Sequence, residues 1–178
     1  MNLFRRLNSI RLMRLGTCLT EENIESFVQR IRHVIRERGH CVIAVSGSPG
    51  SGKSVYANSI RRNGFFSFSK ERVSVIDDLK GNNNERYSRK VLKEVKIEHE
   101  KCLLFIFDYR AAVYCNSADF YLIKDILEDK RLKNLKKRSM RSYKRYRGFF
   151  YRYPPIPFRV DPSKVYIWKD DSIELFKG

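Results

Sequence analysis

The chain has 178 residues and carries 37 lysines and arginines against 20 acids, a formal net charge of +17. That length fits one domain with a full core, and no apolar run reaches the ~20 residues a membrane-spanning helix requires. The charge favours polyanionic partners (nucleotides, nucleic acid or an acidic membrane surface) and says nothing about fold. Cys18, Cys41, Cys102 and Cys115 lack metal-ligand spacing, and Cys41 and Cys102 lie within or beside apolar runs. They read as reduced core residues of a cytoplasmic protein. His33, His40 and His99 are scattered, so neither a metal cluster nor a catalytic triad is expected.

Residues 1–20 contain no acid, and Arg5, Arg6, Arg11 and Arg14 alternate with Leu3, Phe4, Leu7, Ile10, Leu12 and Leu15. Two readings fit this segment: a mitochondrial targeting peptide, or a basic first helix packed on the domain. Residues 21–178 then form a single domain. Thr20-Glu21-Glu22 has the character of a helix start, with an N-cap hydroxyl and acids in the first turn. Ile24, Phe27, Val28, Ile31 and Val34 recur at helical spacing, and Arg38-Gly39 ends the pattern.

Cys41-Val42-Ile43-Ala44-Val45 is a buried-strand run, and Gly47-Ser48-Pro49-Gly50-Ser51-Gly52-Lys53-Ser54 follows it. The string fits G-x-x-x-x-G-K-[ST], the phosphate-binding loop. Glycines let the backbone fold around a phosphate chain with its N–H groups inward, where a Cβ would clash. Lys53 reaches the β- and γ-phosphates, the Ser54 hydroxyl coordinates Mg²⁺, and the helix that opens at the loop adds its positive end. Gly47 through Ser54, with Val55 just beyond, are the expected nucleotide-binding residues. The competing account is a Gly/Ser-rich strand-to-helix loop with no ligand.

Phe65-Phe66-Ser67-Phe68 precedes a second strand, Val73-Ser74-Val75-Ile76, which ends in Asp77-Asp78. Gly81 and Asn82-Asn83-Asn84 mark a loop, and residues 85–100 have helical character with Val91, Leu92 and Val95 inward. Leu103-Leu104-Phe105-Ile106-Phe107 is apolar throughout, as buried parallel strands are, and closes on Asp108. A fourth strand spans 118–125, a basic segment covers 130–159, and Val165-Tyr166-Ile167-Trp168 is the last strand. Strands alternating with helical patterns predict an α/β fold with a mostly parallel sheet flanked by helices, the three-layer P-loop NTPase arrangement.

In such a sheet, ligands bind at the carboxyl ends of the strands. Asp108 stands where a carboxylate would hold Mg²⁺ directly or through water, or where a strand-end turn former would stand. Asp77 could take the proton of an acceptor hydroxyl; with Asp78 it could equally form an Asx turn or a helix cap. The basic segment has no acid between residues 130 and 160. Arg138, Arg141, Lys144, Arg145, Arg147 and Arg152 alternate with Tyr143, Tyr146, Phe149, Phe150, Tyr151 and Tyr153. Three readings stay open: a single-strand nucleic-acid surface, an arginine-bearing kinase lid, or a solvated basic helix whose aromatics pack on the core. Tyr153-Pro154-Pro155-Ile156-Pro157 ends any helix before it.

These residues resemble the uridine kinase and phosphoribulokinase-like family of P-loop kinases, from about Ile24 to Lys164. The opening strand with its loop, Val75-Ile76-Asp77-Asp78, Phe105-Ile106-Phe107-Asp108 and the fourth strand carry the likeness. So do Arg131 and Arg138 of an arginine-rich lid helix, and Pro162-Ser163-Lys164. The resemblance implies ATP and Mg²⁺, a catalytic base at Asp77, an acidic position at Asp108 where the family usually has glutamate, and lid cations at Arg131 and Arg138. The chain departs from the family at Asn134 and Leu135, in place of further lid arginines, and at Ser139, in place of aspartate. The span between Asp77 and Asp108 is too short for the family's acceptor-binding insertion, and no Pro-x-Tyr-Asp segment is present.

The expectation is therefore an ATP- and Mg²⁺-dependent phosphotransferase with a small hydroxyl-bearing or nucleoside-like acceptor. Lys53, Asp77 and Arg138 are its catalytic groups, and Ser54 and Asp108 its metal ligands. The alternatives are an RNA-binding P-loop NTPase that uses segment 130–159, and a degenerate kinase retained as a nucleotide-binding module.

Overall fold

The computed structural model describes residues 24–77, 101–115, 117–148, 160–169 and 173–176. The basic segment 1–20, the expected loop and helix over 78–100, and residues 149–159 of the basic segment lie outside them. Helix α1 (Ile24–Arg38) buries Phe27, Val28 and Ile31, the apolar positions at helical spacing. It stops at Gly39, whose amide donates to the Ile35 carbonyl at 2.8 Å. Each of those three side chains contributes roughly 1.5–3 kcal/mol by leaving water.

Strand β1 (Cys41–Ser46) leads through the glycine-rich loop into α2 (Lys53–Asn63). Then come β2 (Val73–Asp77), β3 (Leu103–Phe107), the short α3 (Ala111–Tyr114) and β4 (Phe120–Lys124). Helices α4 (Glu128–Arg138) and α5 (Met140–Tyr146) precede β5 (Val165–Trp168) and β6 (Ile173–Leu175). The six strands form one sheet in the order β2-β3-β1-β4-β5-β6. Neighbours from β2 to β5 are parallel, and β6 is antiparallel to β5. All five residues of β3 and of β4 are buried, which is why both read as apolar-rich runs.

Side chains alternate between two cores. Val45, Phe107, Leu122 and Tyr166 pack with Phe27 and Ile31 of α1 and with Ala57 and Ile60 of α2. Ala44, Ile106 and Tyr121 pack with Ala111 and Ala112 of α3 on the opposite face. Cys41, Cys102 and Cys115 are buried free thiols. Burial, reinforced by the nearby Asp119 carboxylate, holds the Cys41 thiol far above its ordinary range. Burial with Asp108 nearby pushes Cys115 up to about 12. Both stay protonated at neutral pH, so they serve as small core residues rather than nucleophiles.

The sequence expectations and the structure part at three places. The fourth strand is shorter than 118–125, because Asp119 is used as a fastener. Its buried carboxylate pairs with Arg38 at the end of α1 and accepts the Val42 amide of β1 at 2.8 Å. Strand β6 and helix α3 were not expected. The basic segment is broken into two helices at Ser139, whose backbone is extended and whose hydroxyl accepts the Ser142 amide as the N-cap of α5. No helix among the described residues is long and apolar enough to cross a membrane.

Candidate functional site

Because β1 to β4 run parallel, their carboxyl ends meet at one edge of the sheet. Val45 is in register with Phe107, and Phe107 with Asp77. Ser46 pairs with Ile123, the residue before Lys124. The loop after β1, Asp77 at the end of β2, Asp108 after β3 and Lys124 at the end of β4 therefore share that edge. The chain order reverses around β1, with β3 on one side and β4 on the other, and such a switch point is where open α/β sheets bind ligands.

The loop itself is held tightly. A Cβ on Gly47 would come within 3.0 Å of the Lys124 carbonyl oxygen and of the Ser51 Oγ. Gly50 has φ +91°, and a Cβ there would meet Leu135 Cγ at 2.9 Å and the Arg131 carbonyl at 3.0 Å. A side chain at position 50 would thus be strained in its backbone and would also push α4 off the loop. Ser51 donates its amide to the Ser48 carbonyl at 3.1 Å, and Gly52 stands as the cap before α2.

Lys53, the first residue of α2, turns its Nζ back to the Gly47 carbonyl at 2.6 Å and the Ser48 carbonyl at 3.1 Å. Its ammonium is thereby kept at the mouth of the loop. The first turn of α2 carries no acid, so nothing there offsets the positive end of the helix. Ser48 is 2% exposed, and its buried hydroxyl has no hydrogen-bond partner among the described residues. An orphaned buried hydroxyl costs about 1–3 kcal/mol. Ser54 and Val55 are exposed in the same first turn. A glycine-rich loop, an amine and an unneutralised helix start make a donor set suited to an oxyanion.

The other expected residues divide. Asp77 is partly exposed and projects to the α2 face, since Val73 and Val75 of the same strand pack there. It stands two strands from β1, roughly 10 Å in the hydrogen-bonding direction. Asp108 is buried, and its Oδ1 accepts the Arg110 amide at 2.7 Å, an Asx-type turn that opens α3. The turn-former alternative is what the geometry shows for it. Arg138 is exposed at the last turn of α4, about 10 Å along the helix from Arg131. The structure does not bring Arg138 to Lys53. Among the described residues, no group of three or more His, Cys, Asp or Glu is gathered as a metal cage.

Arg131 occupies a different position from a lid cation. It is fully buried, and its guanidinium pairs bidentately with Glu128 at 2.6 and 2.7 Å. It also donates to the carbonyls of Pro49 in the loop at 3.2 Å, Tyr146 at 3.0 Å and Arg147 at 2.7 Å. Asn134 donates to the Gly50 carbonyl at 3.0 Å. Arg131 is thus a clip that joins the crown of the loop, α4 and the end of α5. Lys124 is a second group that the sequence did not point to. It is 1% exposed, its Nζ donates to the Trp168 carbonyl at 3.3 Å, and it lies over the Tyr56 ring at 5.0 Å. Its stem packs against Gly47, so it braces the loop from below.

Replacing Arg131 with methionine should therefore destabilise the fold by about 3 kcal/mol, the low end for breaking a buried ion pair because Glu128 keeps some access to water. Urea denaturation measures this, and a destabilisation below about 1 kcal/mol, the size of one ordinary hydrogen bond, contradicts the clip. Compared with models of known protein families and with characterised proteins, the sequence matches none.

Proposed function

We propose that the chain is a P-loop phosphotransferase that moves the γ-phosphoryl group of ATP, with Mg²⁺, to a small hydroxyl-bearing or nucleoside-like acceptor. The observation that carries this reading is the shared edge: Lys53 curled on its own loop carbonyls, with Asp77 and Asp108 at the ends of neighbouring strands. The donor set around the loop fits a polyphosphate, and the Gly47 and Gly50 contacts explain why side chains are excluded from it.

Lys53 exchanges its loop carbonyls for β- and γ-phosphate oxygens, which are stronger, charge-assisted partners. The loop N–H groups and the start of α2 hold the same anion. Ser54 and Asp108 would hold Mg²⁺, whose contribution is to neutralise charge on the phosphates. Asp77 takes the proton of the acceptor hydroxyl as its oxygen bonds to the γ-phosphorus and the bond from that phosphorus to the β–γ bridging oxygen breaks, leaving ADP. Arg138, exposed at the far end of α4, takes no step in this scheme. Arg131 and Lys124 position the loop and make no contact with substrate in this scheme. Positioning and electrostatics carry most of such a reaction, so modest groups suffice.

An acceptor screen that follows ATP consumption tests this reading. At least one nucleoside-like or other small hydroxyl compound should accelerate consumption and be recovered phosphorylated. ADP and free phosphate produced at one rate whatever the acceptor, and faster with single-stranded RNA, would instead identify an RNA-stimulated NTPase.

A further inference from the structure

The charge of this protein is not spread evenly. Residues 130–147 hold ten of its 37 lysines and arginines and none of its 20 acids, so the remaining 160 residues carry a net charge of only +7. In three dimensions these ten lie on α4 and α5 and the residue after it, and every one except Arg131 is exposed. Arg131 is the clip that fastens the two helices together and to the loop. The patch is therefore a fixed shape rather than a loose tail.

Aromatic faces lie within it. Tyr143 and Tyr146 are partly exposed and belong to neither core cluster. The Lys136 ammonium stands over the Tyr143 ring at 4.9 Å, and the Arg145 guanidinium over the Tyr146 ring at 5.2 Å. Among the described residues, Met140, Arg141, Lys144 and Arg145 line an open depression of about 650 Å³ along α5. Among the described residues, neither tyrosine is part of a buried core cluster.

We propose that the exposed face of α4 and α5 is a binding surface for single-stranded RNA. Cations at short intervals neutralise successive phosphates. Rings on the same face stack unpaired bases, which a duplex does not offer and which RNA presents in its loops and ends. An acidic membrane would meet the same charge, but the seven-residue α5 has Met140 as its one strongly exposed large hydrophobic side chain, too little for an interfacial helix. The surface does not depend on the phosphotransferase reading, since it needs no ATP and the glycine-rich loop only anchors it through Arg131.

The test uses the full chain and a fluorescent single-stranded RNA of mixed sequence, titrated over a series of salt concentrations. The same sequence as single-stranded DNA and as a duplex runs alongside. Two variants remove equal charge: Arg141, Lys144, Arg145 and Arg147 to glutamine on α5, and Arg32, Arg36, Lys70 and Arg72 to glutamine elsewhere. The α5 variant should lower the log–log salt slope by up to ~3, at ~0.7 for each phosphate no longer neutralised, and the second variant should leave it nearly unchanged. Tyr143→Ala should weaken binding by about 5–150-fold, and Tyr143→Phe should restore it. That pair decides the matter if the fourfold variant does not fold. No binding at physiological salt, equal weakening in both charge variants, or DNA binding as tight as RNA overturns the proposal. ATP affinity, measured by calorimetry on the same variants, should not change, so a failure here is distinguishable from a failure of the phosphate site.

Discussion

Lys53→Ala should lower turnover by at least ~10²–10³-fold, the usual effect of removing one preorganised donor to developing charge. The same change should weaken ATP binding by about 1.5–3 kcal/mol, the worth of a charge-assisted hydrogen bond. The fold should survive, because Lys53 belongs to neither core and its ammonium bonds to Gly47, Ser48 and Ser51 of its own loop. Calorimetry at fixed Mg²⁺ measures the affinity, and circular dichroism checks the fold. Equal ATP affinity in the parent and variant proteins would remove the loop as the nucleotide site.

Asp77→Asn should lower phosphoryl transfer by ~10²–10⁴-fold, the span of general-base catalysis, while ATP affinity barely moves. The amide keeps the shape of the carboxylate and cannot take a proton. Its position at the end of β2 on the α2 face keeps it one strand beyond β3, so it is not among the groups that grip phosphate. Asp108→Asn separates the two carboxylates. An asparagine oxygen can still accept the Arg110 amide and keep the turn into α3, while the removal of charge should weaken Mg²⁺-dependent binding. Turnover by Asp77→Asn within a factor of about two of the parent would rule out the base assignment.

The strands that were easiest to foresee are those buried on both faces. Leu103–Phe107 has no polar residue, so its period carries no ambiguity with a surface strand. The glycine-rich loop was equally plain, because the G-x-x-x-x-G-K-[ST] pattern sets residue types at fixed intervals. Strand order was not legible. It is set by which helix crosses which face, and local sequence carries no record of that. Three-residue β6 and four-residue α3 are too short to impose a period, and β6 exists because it pairs with β5.

The clip at Arg131 was hidden for another reason. It donates to backbone carbonyls at Pro49, Tyr146 and Arg147, and a carbonyl leaves no mark on residue identity. Its ion-pair partner, Glu128, stands three residues earlier and could have been read as a helical pair. The break at Ser139 was visible in principle as a capping residue inside a basic run. Lys124 reads from sequence as the polar end of a strand. Only the approach of Tyr56 and Trp168 makes it a buried brace.

The central claim is that the loop from Gly47 to Ser54 grips the distal phosphates of a nucleotide. Titrating the parent protein with ATP and with AMP, at fixed Mg²⁺ in a calorimeter, addresses it directly. The account predicts saturable one-to-one binding of ATP and at least a tenfold weaker affinity for AMP, because AMP lacks the phosphates that Lys53 reaches. Absence of saturable ATP binding, or AMP bound as tightly as ATP, would contradict it.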